Sequence, residues 1–153
     1  MVHGRRSADT VALLVTDPEE RPAALAAIDR LEVEAAASTT ALPGALDFLA
    51  GLPESPSWPA PPVLITADDV SHGKPAPDGY RTAAEKLGFA LARTVVFEDS
   101  TAGAKAGAAA GATVIGVGQR GLATDATMVV RDLRGLTWHD GVLSLAAADL
   151  LRF

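Results

Sequence analysis

The chain has 153 residues, 48% of them hydrophobic, which is the size and composition of a single folded domain and not of a disordered segment. A formal net charge of −6 argues against the basic surface that a nucleic-acid-binding protein needs. The absence of cysteine excludes disulfides, thiolate metal sites and a cysteine nucleophile, and without a membrane-spanning apolar stretch or a signal peptide we expect a soluble cytoplasmic protein with no membrane contact.

Residues 7–37 have the pattern of two helices. Ser7 is predicted to cap the first helix, and Asp17-Pro18 to begin the second, because proline is favoured at the first helical position. An apolar stripe at roughly helical spacing follows, formed by Leu25, Ile28, Leu31 and Val33. The N-terminal part of the chain is therefore predicted to be helical.

Two segments separate this helical part from the rest of the chain. Pro43-Gly44 interrupts the pattern, and a short helix is predicted over residues 45–52. Residues 53–62 are dense in proline, which excludes a helix and a central strand. Trp58 is predicted to pack this connector against the core, and a peptide-binding groove is the alternative.

Beyond the connector, short apolar strands alternate with helices. The predicted strands cover residues 63–66, 94–97, 113–117 and 128–130. The predicted helices cover residues 77–87 and 102–110 and are closed by Gly88 and Gly111. This alternation is typical of a parallel, doubly wound sheet, in which ligands bind at the carboxyl ends of the strands.

The predicted strand over residues 94–97 runs directly into two acidic residues, Glu98 and Asp99. Two carboxylates at the end of a buried strand are costly unless something cationic meets them. Hard oxygen ligands of this kind suit Mg²⁺. We therefore predict a magnesium site with Asp99 and Glu98 as ligands.

Lys74 stands between Gly73 and Pro75, in a loop that cannot be helical. A lysine that a rigid loop holds near two carboxylates and a metal can neutralise a phosphate or steady an anionic nucleophile. The alternative is a surface lysine in a turn. Its spacing to the two acids, across one helix and one strand, favours the functional role.

Two other polar features have simpler interpretations. His72 is isolated, and a lone histidine in a loop is more often an ordinary surface residue than a ligand. Asp68-Asp69 could form a second metal pair, but a solvated strand end or a helix cap is favoured.

Together these features closely resemble the haloacid-dehalogenase superfamily, in the branch of small sugar-phosphate and polyol-phosphate phosphatases and β-phosphoglucomutases. The matching stretches are Gly73-Lys74-Pro75-x-Pro77-Asp78, Val96-Phe97-Glu98-Asp99-Ser100-x-x-Gly103 and Ala109-Ala110-Gly111-x-x-x-Ile115-Gly116-Val117. The resemblance covers the chain from about Val63 to the C-terminus. It is weaker upstream, where His3-Gly4-Arg5-Arg6 is similar to the substrate-facing part of that branch's helical cap.

The resemblance implies Mg²⁺-dependent phosphoryl transfer through an aspartyl-phosphate, with a small phosphorylated metabolite as substrate. In such enzymes the lysine that matches Lys74 steadies the nucleophile and the phosphate oxygens. The acids that match Asp99 and Glu98 hold Mg²⁺ directly or through water. The cap residues expected to face the sugar or polyol are His3, Arg5 and Arg6.

The resemblance also implies the fold, an α/β haloacid-dehalogenase-like doubly wound parallel sheet that is here an incomplete Rossmannoid core. Residues 1–41 are expected to form a partial helical cap at the N-terminus, and residues 42–153 the α/β core. The family's first motif, a strand ending in Asp-x-Asp-Gly-Thr, carries the nucleophile and the acid/base, and it has no match. Asp17 is the rival candidate, but glycine and threonine do not follow it.

The family's second motif, a strand ending in Thr-Ser or similar, is also unmatched. Without a positioned nucleophile the covalent route is closed, so we expect a truncated, inactive phosphatase of this family. The alternative is a non-catalytic module that binds metal or a partner chain without turnover. The loss of central strands should leave an exposed sheet edge, which predicts a homodimer through that edge, a domain swap or poor solubility. A wrongly assigned gene start and a true deletion both remain open as explanations.

Overall fold

The computed structural model describes residues 4–52, 61–145 and 149–152. Trp58 and His3 lie outside these ranges. The helices are α1 (Ser7–Leu14), α2 (Arg21–Ala36), α3 (Ala45–Ala50), α4 (Asp78–Leu87), α5 (Thr101–Ala110) and α6 (Gly118–Gly121), with short 3₁₀ helices at Ala67–Asp69 and Leu91–Arg93. The strands are β1 (Val95–Glu98), β2 (Thr113–Val117), β3 (Met128–Val130), β4 (Thr137–His139), β5 (Val142–Ser144) and β6 (Leu150–Arg152).

The two N-terminal helices were predicted correctly, but their starts were not. Arg6, and not Ser7, is the N-cap of α1, and the Ser7 hydroxyl donates instead to Glu32 of α2 at 3.1 Å. Helix α2 begins at Arg21, because the Asp17 carboxylate accepts a bond from the Glu19 backbone N–H at 2.9 Å and forms a turn there.

The apolar stripe of α2 is not buried. Leu31 is 62% exposed and Val33 is 73% exposed, while Leu25 and Ile28 are only partly covered. Helix α2 packs against α1, whose Val11 is buried. No helix in the described part of the chain has the length and apolar character needed to cross a membrane.

The main sheet has the strand order β1-β2-β3-β6. The β1–β2 and β2–β3 pairs are parallel, as predicted, whereas β6 joins β3 antiparallel and makes the sheet mixed. Within the described ranges β1 pairs only with β2 and forms one edge of the sheet. Association of two copies through this edge stays a prediction.

Residues 63–66 form no strand, which corrects the prediction for them. A short apolar segment becomes a strand only when a neighbouring strand pairs with its backbone, and no described strand does so here. Thr66 instead begins the 3₁₀ helix Ala67–Asp69, where its hydroxyl and the Asp69 carboxylate form a capping box. This capping box confirms the cap interpretation of Asp69, which also pairs with Lys86 at 3.5 Å.

Helices α4 and α5 end at the predicted glycines. Gly88 has φ +73° and Gly111 has φ +94°, a left-handed conformation that glycine adopts without steric cost. Strands β2 and β3 have the predicted bounds, and β1 is displaced by one residue from its predicted range.

Helix α3 joins the core formed by the sheet. The Phe48 ring lies edge-on to the Phe97 ring of β1, with centroids 5.7 Å apart. The core cluster consists of Phe48, Ile115, Val117, Val130 and Leu136. Ahead of α3, Gly44 has φ +80° and lies against the Leu133–Arg134 backbone, where a Cβ would overlap. The core therefore supports the carboxyl ends of β1 and β2.

A two-stranded antiparallel hairpin, β4–β5, was not predicted. Asp140 and Gly141 connect its strands and have φ values of +50° and +79°. Asp-Gly between two apolar runs is a strong hairpin signal, so the sequence contained the information for this element.

Candidate functional site

Glu98 and Asp99 lie at the carboxyl end of β1, in very different surroundings. Glu98, the last residue of the strand, is 8% exposed, whereas the Asp99 side chain that follows it is 52% exposed. Successive side chains of an extended segment point to opposite sides, so neighbouring acids reach different environments. One carboxylate is buried and one faces solvent.

The buried Glu98 carboxylate accepts hydrogen bonds at both oxygens. Lys74 Nζ and Tyr80 Oη donate to Oε1, the latter at 2.5 Å, and Ser100 Oγ donates to Oε2 at 3.1 Å. Burial acts to raise the pKa of Glu98, but the bonds from Lys74 and Tyr80, the Lys74 charge and the Ser100 hydroxyl outweigh it. The pKa of Glu98 therefore lies below its ordinary value, and the group is an anion.

The start of α5 is shaped around this carboxylate. Ser100 is the N-cap of α5, and its hydroxyl accepts a bond from the Gly103 backbone N–H at 3.1 Å while donating to Glu98. A Cβ at Gly103 would overlap the Glu98 carboxyl group. The serine and the glycine of the motif thus place the helix end directly against the buried acid.

Lys74 reaches Glu98 from a loop, and Tyr80 reaches it from α4. The Lys74–Pro75 peptide bond is cis, and the Lys74 side chain is 39% exposed. Its ammonium lies 5.3 Å from the centre of the Tyr80 ring, so the ring face adds a cation–π contact. Burial and the adjacent Glu98 charge raise the pKa of Tyr80, which keeps its hydroxyl protonated as a donor.

Asp99 faces a cavity that Lys74 also lines. The cavity has a volume of about 600 Å³ and includes Lys74, Glu98, Asp99 and Arg120 in its wall. Asp99 Oδ2 lies 3.2 Å from Arg120 Nη2, a contact that the sequence did not predict. The structure therefore brings together Lys74, Glu98 and Asp99, the lysine and both acids that were predicted as one site.

These residues suit a site in which a bound Mg²⁺ ion keeps several of its water ligands. Mg²⁺ is commonly held by one or two carboxylates together with waters and substrate phosphates. Asp99 presents its carboxylate to the cavity, and Glu98 stands beside it with both oxygens already hydrogen-bonded. Within residues 4–52, 61–145 and 149–152, three or more acidic or histidine side chains do not converge on one point. Asp99, whose carboxylate is paired only with the exposed Arg120 among the described residues, is the acid that would bind the ion directly.

The predicted substrate-facing residues are placed in different ways. Arg5 lines two further cavities beside the site, of about 490 and 250 Å³. Arg6 makes two bonds of 2.9 Å to the Asp9 carboxylate and lies against Gly73, so its guanidinium is largely engaged within the protein. His3 lies outside the described residues.

Tyr80 and Arg120 belong to the site but were missed in the sequence. Tyr80 follows the lysine loop by six positions, and its position in the first turns of α4 was the available signal. Arg120 stands in Gly-Gln-Arg-Gly directly after β2, and its location at the end of a parallel strand was the available signal.

The chain is similar in sequence to known proteins, and the similar region includes the site. Residues 59–111 match the family model for haloacid dehalogenase-like hydrolases. Hexitol phosphatase A of Escherichia coli (strain K12) is 32% identical over 139 residues, covering 76% of this chain and 64% of that protein. Validoxylamine A 7′-phosphate phosphatase of Streptomyces hygroscopicus subsp. limoneus is 42% identical over 79 residues, covering 50% of this chain and 37% of that protein. The chain thus spans less than two thirds of either relative.

The fold agrees as well. A solved structure from Bacteroides vulgatus, described as a beta-phosphoglucomutase, superposes with a TM-score of 0.67 and 25% identity over 87% of this chain and 68% of that one. The matched residues 59–111 include the Lys74 loop, Tyr80 and the Glu98–Asp99 strand end. The motif residues, the sheet that places them and both relatives lead to one conclusion: residues 59–111, which contain the lysine and both acids of the site, are a segment of the haloacid dehalogenase-like hydrolase family.

Proposed function

We propose that this chain supplies the metal- and phosphate-binding side of a Mg²⁺-dependent phosphatase for a small sugar or polyol phosphate. The observation that carries the proposal is the cavity of about 600 Å³ that holds a lysine, a buried acid bonded to it and a solvent-facing acid. The relatives support the substrate class, because their names describe a hexitol phosphatase and a phosphatase of a phosphorylated validoxylamine.

Each residue has a distinct role in this proposal. Asp99 would hold Mg²⁺, which when bound supplies electrostatic stabilisation of a phosphoryl group. The Lys74 ammonium neutralises phosphate oxygens, since two of its three donors remain after the bond to Glu98. Glu98 holds that ammonium at the cavity wall through an ion pair shielded from solvent on the glutamate side.

We also propose that these 153 residues bind metal and phosphate without turnover. Hydrolysis of a phosphate monoester requires an acceleration of up to about 10²¹-fold, and charge stabilisation without a positioned nucleophile supplies only part of it. Asp17, the rival nucleophile, lies in a turn ahead of α2 and is not among the residues that line the cavity with Lys74.

Asp99→Asn is expected to weaken Mg²⁺ binding at least about tenfold, because the substitution removes the carboxylate that faces the cavity. Isothermal titration calorimetry of the full chain with MgCl₂ measures this. Asp149→Asn is the matched control, since Asp149 is similarly exposed and is also paired with an arginine, Arg131. Equal Mg²⁺ affinity of the Asp99→Asn variant and the wild type would refute the metal site.

Hydrolysis of p-nitrophenyl phosphate with Mg²⁺ tests the absence of turnover. The expected rate is that of the buffer alone. A rate that is lost in Asp99→Asn would show that the chain is an enzyme, and a rate that is also lost in Asp17→Asn would assign the nucleophile to Asp17.

A further inference from the structure

The Asp99–Arg120 ion pair stands between two cavities. Both residues line the cavity of about 600 Å³ that holds Lys74, and both also line the neighbouring cavity of about 250 Å³. Asp99 is the residue proposed above to bind metal. Any ion that takes its carboxylate must therefore displace Arg120 or share the carboxylate with it.

Little holds Arg120 in this pair. The side chains of Arg120 and Asp99 are 58% and 52% exposed, and exposed ion pairs of this kind contribute little to stability. The backbone that carries Arg120 is fixed, because Gly121 packs closely on Gly116 and the Thr124 hydroxyl donates to the Gly121 carbonyl at 2.6 Å. The guanidinium can therefore change partner without a change of fold.

The smaller cavity offers Arg120 a different partner. Its wall contains three cationic side chains, Arg5, Lys105 and Arg120, and one carboxylate, that of Asp99. In the described part of the chain Arg5 and Lys105 make no direct ion pair, although the Asp9 carboxylate lies close enough to Arg5 to interact with its charge. Arg120 pairs with Asp99. Once a metal neutralises Asp99, the three cationic side chains of this wall face no carboxylate within it, and such a wall attracts an oxyanion.

We propose that metal and Arg120 compete for Asp99, and that the released Arg120 joins Lys105 and Arg5 as a subsite for a second anionic group of the substrate. The subsite takes a carboxylate or phosphate that is attached to the phosphorylated molecule in the larger cavity. The metal and this second anion then strengthen each other's binding. The metal takes Asp99 and leaves Arg120 unpaired, and the anion pairs with Arg120 and leaves Asp99 available to the metal. The inference rests on the proposed metal site at Asp99.

Competition is tested by calorimetric titration of MgCl₂ in chloride buffer. Arg120→Gln is expected to bind Mg²⁺ about fivefold more tightly than the wild type, because the competing cation is gone. Arg131→Gln is the matched control, since it breaks an exposed Arg–Asp pair and removes the same charge away from both cavities. Unchanged or weaker binding by Arg120→Gln, or an equal gain in Arg131→Gln, would overturn the competition.

The second-anion subsite is tested with two probes of similar size on the Mg²⁺-saturated protein. 3-Phosphoglycerate carries a carboxylate where glycerol 1-phosphate carries a hydroxymethyl group. The wild type is expected to prefer 3-phosphoglycerate about fivefold, and Lys105→Gln to lose that preference while Lys86→Gln keeps it. No preference in the wild type, or the same preference in Lys105→Gln, would overturn the subsite.

Repeating the Mg²⁺ titration in the presence of sulfate distinguishes a subsite for free anions from a subsite for the substrate. The substrate assignment would be overturned by two results together. Sulfate would tighten Mg²⁺ binding in the wild type but not in Lys105→Gln, and the wild type would bind the two phosphate esters equally well. The controls also separate the two proposals. If Asp99→Asn binds Mg²⁺ normally, the proposed function fails, whereas if Asp99→Asn loses Mg²⁺ and Arg120→Gln gains nothing, only the present inference fails.

Discussion

Lys74→Gln is expected to lower the free energy of unfolding by about 3 kcal/mol at neutral pH, because it leaves the buried Glu98 carboxylate without its cation. Glu98→Gln is expected to cost less, about 1–2 kcal/mol, since the Lys74 ammonium is 39% exposed and recovers part of its hydration. Urea denaturation followed by circular dichroism measures both. The order of the two losses follows from which partner is buried.

The loss in Lys74→Gln is expected to depend on pH. In the wild type the pKa of Glu98 lies below its ordinary value of 4.5, so its stabilisation is complete above that value and disappears as pH falls through the lower folded-state pKa. Removal of Lys74 raises the folded-state pKa of Glu98, and the difference between variant and wild type should shrink on acidification. Lys86→Gln, which breaks an exposed pair with Asp69, is the control and should cost less than about 1 kcal/mol. Equal losses in the two lysine variants would contradict the role given to Lys74.

Gly103→Ala is expected to destabilise the protein by about 3 kcal/mol, although alanine favours helices over glycine. The added methyl group would overlap the Glu98 carboxyl group, which is buried and hydrogen-bonded at both oxygens. Overpacking costs about 1–3 kcal/mol, and displacement of a buried charge adds to it. Urea denaturation measures the loss, and calorimetric titration of Mg²⁺ reports on the neighbouring Asp99.

Gly79→Ala is the matched control, because Gly79 also lies in a helix and, among the described residues, a Cβ there would approach only Ile65, at 4.0 Å. With room for the methyl group, this substitution is expected to raise stability by about 0.5–1 kcal/mol through the better helix propensity of alanine. A Gly103→Ala variant that gains stability in the same way would contradict the close packing of α5 against the Glu98 carboxyl group.

The elements closest to the site were predicted with nearly correct bounds. Strands β2 and β3 and helices α4 and α5 depend on local signals, namely short apolar runs for the strands and glycines that end the helices at Gly88 and Gly111. Such signals act within a few residues, so they can be recognised in the amino-acid sequence alone.

Two of the errors lie where a partner elsewhere in the chain decides the local structure. Ser7 bonds to Glu32 instead of capping its helix, and the apolar residues 63–66 form no strand because no described strand pairs with them. The β4–β5 hairpin was missed although Asp140-Gly141 is a typical turn pair. The first two depend on contacts that sequence spacing does not reveal.

The sequence by itself determined which chemistry is present, since an acidic strand end, a lysine in a proline-stiffened loop and a glycine-spaced helix are all local patterns. Only the tertiary structure decided how the two acids divide their roles. Glu98 is buried and bonded to Lys74, Tyr80 and Ser100, whereas Asp99 faces the cavity and pairs with Arg120. The physical reason is that hydration and ion pairing depend on neighbours brought from distant parts of the chain, and two adjacent carboxylates look alike until those neighbours are in place.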